Sequence, residues 1–162
     1  MAVWQFKFSF VPKSGVLKQH GSIPHILDEF LPYDGKHKLK ETSEYLNYWE
    51  EQEVTRVDFD FFESIIPKVD SWDESAIMYE DSEGNRIEVW DDDINCRIDA
   101  RKFNLSLINN ILNYALEKNW LIAITSNGHV ITPNIFSFIK EFKLSFSFKF
   151  CEDPEKALKG LV

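Results

Sequence analysis

The chain has 162 residues, 44% of them hydrophobic and 15% aromatic, which is enough apolar surface for a folded core and a length that predicts one domain spanning 1–162. Its 18 basic and 27 acidic residues leave a formal charge of −9, which argues against nucleic acid or an anionic membrane as a partner and favours a basic protein. No run approaches the roughly 18 apolar residues of a membrane span, and the opening MAVWQFKFSFVPKSG lacks the layout of a signal peptide. With only Cys96 and Cys151, and neither zinc spacing nor a disulfide framework, the expectation is a cytoplasmic chain with reduced thiols.

In chain order, VWQFKFSFV alternates, with Trp4, Phe6, Phe8 and Phe10 on one side and Gln5, Lys7 and Ser9 on the other, and predicts a half-buried strand. SIPHILDEFLP reads as a helix with Ile26, Leu27, Phe30 and Leu31 on its apolar side, or else as a surface excursion between Pro24 and Pro32. KETSEYLNYWEEQE places Tyr45, Tyr48 and Trp49 at helical intervals. VDFDFFESIIP is compatible with strand or helix, because Val57, Phe59 and Phe61 alternate but adjacent isoleucines follow.

SAIMYE and NRIEVW flank DSEG, predicting a hairpin whose turn is Asp81 to Asn85, with Gly84 and Asn85 able to take positive φ. The run DDD is a second turn into INCRIDAR, where Ile94, Cys96, Ile98 and Ala100 share one face and Arg97, Asp99 and Arg101 line the other. NLSLINNILNYALEKN carries Leu105, Ile108, Ile111, Leu112, Ala115 and Leu116 at helical spacing behind Asn104 as N-cap. The unbroken run WLIAIT, residues 120–125, suits a central strand covered on both faces.

TPNIFSFIKEF predicts a helix capped by Thr132, with Pro133 at its first position and Ile135, Phe136 and Ile139 on its apolar side. LSFSFKF repeats the alternation of the first strand, putting Leu144, Phe146, Phe148 and Phe150 inward on a strand that would neighbour it. DPEKALKGL closes with a short helix capped by Asp153 ahead of Pro154. The expected fold is α/β of the α+β kind, a mainly antiparallel sheet with helices packed on it, and Phe6, Phe8, Ile108, Leu112, Ile122, Phe146 and Phe148 share its core.

Seven carboxylates, Glu80, Asp81, Glu83, Glu88, Asp91, Asp92 and Asp93, crowd fourteen residues beside the single Arg86 and hold −6 of the chain's −9. Solvated turns that keep strand edges from pairing explain each acid singly. A calcium loop starting at Asp81 is out of step, because its Gly falls fourth. A two-carboxylate active site needs acids at a set separation in a pocket, which turn tips do not supply. Docking of a basic partner uses the summed field of the cluster. In that reading the seven carboxylates form the binding face with Trp90, which would share the strand face of Arg86 and Glu88, and Asp91, Asp92 and Asp93 are exposed.

Catalytic and cofactor signatures are missing: His20, His25, His37 and His129 lack HExxH spacing, and there is neither a Gly-rich phosphate loop nor a GxSxG elbow. His129 sits in a turn beside Ser126 without a recognisable orienting partner, and Cys96 on an apolar strand face is expected to be inert. The expectation is a non-enzyme without metal or cofactor. The alternatives are a small metal-dependent enzyme using the acidic segment and an adaptor or ligand-binding domain.

The acidic hairpin ending in IEVW, the strand RIDAR, the helix from Leu105, then NGHVITP and the closing DP helix, together about residues 76–160, resemble immunity proteins of bacterial polymorphic toxin and contact-dependent growth inhibition systems. The resemblance implies a cytoplasmic inhibitor that binds and blocks a cognate toxin domain, often a nuclease, with no catalytic residues of its own.

Overall fold

The alternating Phe residues of Gln5–Pro12 form β1, the organising strand of the molecule. In the computed structural model, which describes residues 2–31 and 46–160, β1 pairs antiparallel on both edges. On one side Phe8 faces Cys96 of β5 (Ile94–Asp99), and on the other Phe10 faces Ile122 of β6 (Trp120–Ile124). With β2 (Lys68–Val69), β3 (Ile77–Glu80), β4 (Arg86–Val89) and β7 (Val130–Ile131) the sheet has seven strands in the order β2-β3-β4-β5-β1-β6-β7, every pair antiparallel. The expected α+β architecture is therefore observed. The run WLIAIT is buried along all of β6, although β6 lies next to last in the sheet rather than at its centre.

Helices cover the face that carries Phe6, Phe8 and Phe10. They are α2 (Arg56–Ile65), which resolves the ambiguous VDFDFFESIIP, α3 (Leu105–Glu117) and α4 (Ile135–Leu144). Asn104 caps α3 as expected, accepting from the Leu107 N–H at 3.0 Å, and Leu107, Ile108, Ile111, Leu112 and Ala115 are buried against the sheet. The opposite face is apolar only at one end, where Val11, Val16, Leu27, Tyr48, Leu121 and Ala123 form a second cluster. There α1 (Lys13–His20) packs so closely on the following chain that a Cβ at Gly15 would overlap the Tyr48 carbonyl.

Several expectations are corrected. The alternation of LSFSFKF produces no strand: Leu144 ends α4, and α5 (Phe146–Glu152) begins behind Ser145, whose Oγ accepts from the Phe148 N–H at 3.2 Å. β5 pairs with residues 5–10 on one edge of β1 and β6 with residues 8–12 on the other, which leaves too short an edge for a seven-residue strand, and the local cap decided the segment. Ser147, assigned outward, is buried and donates to the Gln5 carbonyl at 2.7 Å, whereas Leu144 is exposed. Of the expected core set, Phe6, Phe8, Ile108, Leu112 and Ile122 share one cluster, Phe148 packs against it, and Phe146 does not belong to it.

The cap of α4 is Asn134, not Thr132, with its Oδ1 accepting from Phe136 and Ser137 at 2.9 and 3.2 Å. The buried residues of the helix are Phe138, Glu141 and Phe142, while Phe136, expected on the apolar side, is 81% exposed. The described part of SIPHILDEFLP, residues 22–31, is not an α-helix: it forms an isolated bridge from Ile26 to His129 and a 3-10 turn at Asp28–Phe30. In KETSEYLNYWEEQE, Tyr45 lies outside the described residues and Tyr48 and Trp49 are buried within a turn, not a helix. The closing helix α6 (Pro154–Lys159) follows its expected Asp153 cap.

Candidate functional site

Strand β4 carries the acidic residues at its two ends, and its four residues hold them roughly 13 Å apart. At the hairpin end the acids are committed locally. Asp81 accepts from the Glu83 and Asn85 N–H groups at 2.9 and 3.0 Å and from the Asn85 side-chain amide at 2.8 Å, closing a turn in which Gly84 has φ 88°. Asn85 is buried, and its Oδ1 accepts from the Asp99 N–H at 3.0 Å, which pins the hairpin to β5. Glu80 pairs with Arg86, and Glu83 lies 4.0 Å from Lys102.

The other end is different. A tight turn, in which the Trp90 N–H donates to the Asp93 carbonyl at 2.8 Å, presents Asp91 and Asp92 to solvent, and neither forms an ion pair among the described residues. Asp93 was expected to be exposed with them but is half-buried. Burial raises its carboxyl to about 6, and the charges of Asp92 and Glu88 add to that rise against hydrogen bonds from Asn95 and Ile94. The turn thus sets two exposed carboxylates beside one whose ionisation is costly.

The same turn stands between two depressions. On one side is a groove of about 620 Å³ whose floor is Val54, Phe59, Ile77 and Val89 and whose wall is Trp90. Its rim carries Glu53, Glu74 and Asp91. Because β4 ends at Val89, Trp90 escapes the alternation and lies with these residues, not with Arg86 and Glu88 as expected. Its ring meets that of Trp72 edge-on, with centroids 5.6 Å apart, and Trp72 is 69% exposed. Sequence reasoning missed Trp72; its position in the polar stretch DSWDES, where an apolar ring has no local core to join, was the available signal.

On the other side of the turn, Asp92 and Asp93 line a pocket of about 400 Å³ with Glu29, Phe30, Tyr48 and Trp49. The acids of the turn therefore border aromatic surface on both flanks. Glu88 is not part of either depression; it lies on the uncovered sheet face, 3.4 Å from Arg86.

His129 has an orienting group that spacing alone did not reveal. Its Nδ1 lies 3.1 Å from the Glu141 carboxylate, which also accepts from the Asn127 amide at 3.0 Å, and Glu141 is buried on the inward face of α4. Among the described residues, no group of three or more His, Cys, Asp and Glu side chains is placed to hold a metal ion. Likewise among the described residues, no helix is long and apolar enough to cross a membrane. Cys96 is buried, and burial pushes its thiol well above the ordinary range.

Protein-family models, curated proteins and solved structures were all compared with this chain, and none matches.

Proposed function

We propose that the protein is a non-enzymatic acidic binding protein of the cytoplasm that neutralises a cognate toxin domain by covering its basic active-site surface. One observation carries this reading: the Asp91–Asp93 turn stands between a groove with an apolar floor and acidic rim and a second pocket lined by aromatic and acidic residues. Apolar floors bury anchoring side chains, while unpaired charge at the rim steers encounter and rejects acidic competitors. An exposed Trp beside that groove is the residue type most enriched at binding hot spots. A nuclease domain, whose phosphate-binding cleft is rich in Lys and Arg, has the matching charge.

The alternatives are a metal-dependent enzyme built on residues 80–93 and an adaptor or ligand-binding domain. A metal requires converging ligands, and the division of the acids between the two ends of β4 favours surface recognition instead. The test is coexpression with the toxin domain encoded in the neighbouring reading frame. Growth should be rescued, and Asp91→Lys with Asp92→Lys should abolish the rescue. Failure of the unaltered protein both to protect cells and to comigrate with that domain would overturn the reading.

A further inference from the structure

On the sheet face turned away from α2, α3 and α4, Lys7 stands directly opposite Arg97, and Arg97 directly opposite Arg86, across β1, β5 and β4. Like charges placed opposite each other destabilise an antiparallel sheet. In a chain of net charge −9, such a row does not arise from a surplus of cations. Arg86 is answered by Glu80 and Glu88. Arg97 shares the field of the same two carboxylates but is hydrogen-bonded to neither, and its buried Nε has no hydrogen-bond partner. Burial, followed by the charge of Arg86, holds its guanidinium below the ordinary value. A buried donor left unmatched costs its full desolvation penalty, so the arrangement is unfavourable as it stands.

These three cations border a depression of about 250 Å³, whose lining also includes Phe8, Glu88, Asn95, Cys96 and Thr125. Three positive charges against the carboxylates of Glu80 and Glu88 leave an excess of one. The volume lies below the range of about 300–1,000 Å³ typical of organic-ligand pockets, which limits the occupant to a small ion or a small head group. Arginine presents Nε and Nη donors in a planar fork that matches an oxyanion bidentately.

We propose that this depression binds a small divalent oxyanion of the phosphate type, free or as the head of a monoester, with the Arg97 guanidinium at its edge and Lys7 and Arg86 supplying flanking charge. The anion screens the cations from one another. Because Arg86 already donates to Glu80 and Glu88, its part is that of a positive field, whereas Lys7 is placed to contact the anion directly.

The test is a titration of the ¹⁵N-labelled protein with inorganic phosphate at constant ionic strength, chloride making up the balance, and in parallel with glycerol phosphate. The Arg97 Nε–H and the Lys7 and Thr125 amides should shift along one saturable curve, and Arg97→Gln should weaken binding by about tenfold or more, the scale of one lost charge-assisted hydrogen bond. Should Arg97→Gln fail to fold, Lys7→Gln is read instead and should weaken binding about threefold or more. Tighter binding of glycerol phosphate assigns a monoester, and equal or weaker binding assigns the free ion. Shifts that rise linearly without saturating, or the same affinity in the folded variant, would overturn the site. No partner protein enters this experiment, so its outcome is independent of the toxin reading.

Discussion

The carboxylate of Asp58, wholly buried at the start of α2, accepts a hydrogen bond of 2.6 Å from the hydroxyl of Tyr114 near the end of α3. Lys118 Nζ lies 2.9 Å from the same oxygen, and the Thr55 N–H and Oγ1 donate to the other at 2.6 and 2.8 Å. Burial alone would raise this carboxyl, but the donors Tyr114, Lys118 and Thr55 outweigh it and hold the group below the usual range.

Asp58→Asn should therefore cost about 3 to 5 kcal/mol, because it leaves Lys118 without its buried counter-charge. Since the folded carboxyl is depressed, its contribution is present above the unfolded value of about 3.9 and is lost as pH falls through the folded one. Urea melts of both proteins at pH 7 and at the lowest pH where the native state persists should converge at the acid end. A variant as stable as the parent at pH 7 would remove Asp58 from the framework.

Asp93 has the opposite sign. Its folded value of about 6 lies above the unfolded one, so the native state holds the proton more tightly and stability declines as pH rises from about 4 to about 6. Asp93→Asn mimics the protonated form and should add about 1 to 3 kcal/mol at pH 8 while changing little at pH 4. Thermal melts at the two pH values decide it: a gain of equal size at both would show that burial of the charge is not the cause.

For the core, Phe138 is fully buried between Phe6 and Phe8, with ring centroids at 5.5 and 5.1 Å, whereas Phe146 is half-buried on α5 outside that cluster. Phe138→Ala should cost about 3 to 5 kcal/mol and Phe146→Ala less than about 1.5, judged by the area each withdraws from water. Equal destabilisation of the two in chemical denaturation would return the terminal segment to the core.

Partner association should divide between the acids and the tryptophans. Asp91→Asn with Asp92→Asn should slow association and flatten its salt dependence, because unpaired surface charge acts at long range through a Debye length of about 8 Å at physiological salt. Trp72→Ala and Trp90→Ala should instead speed dissociation, each by about tenfold or more for a central anchor. Stopped-flow kinetics with the proposed toxin-domain partner across a salt series separates the two effects, and a double Asn variant with an unchanged salt slope would remove the turn from the proposed interface.

What was legible in the sequence was whatever short-range chemistry controls. The Phe alternation of β1, the Asn104 cap, the DSEG turn and the Asp153–Pro154 helix start each depend on neighbours a few residues away, and each forms. Which faces are covered was less legible: Leu105 and Leu116 of the expected α3 stripe are exposed, and Ser9, expected on the outer side of β1, is buried. Tertiary structure decided the rest. Ser145 to Phe150 alternates like a strand yet becomes a helix, because β5 and β6 left only a short stretch of β1 edge unpaired and Ser145 offered a cap. Adjacency in sequence did not make Asp91, Asp92 and Asp93 equivalent, since a turn displaces each by a different amount from the core; Asp93 is half-buried and the other two are exposed. Glu141 reaches His129, and Lys7 and Arg86 flank Arg97, only through helix packing and strand register. A contact between residues distant in the chain is set by how the whole sheet closes, and no local pattern of residues encodes it.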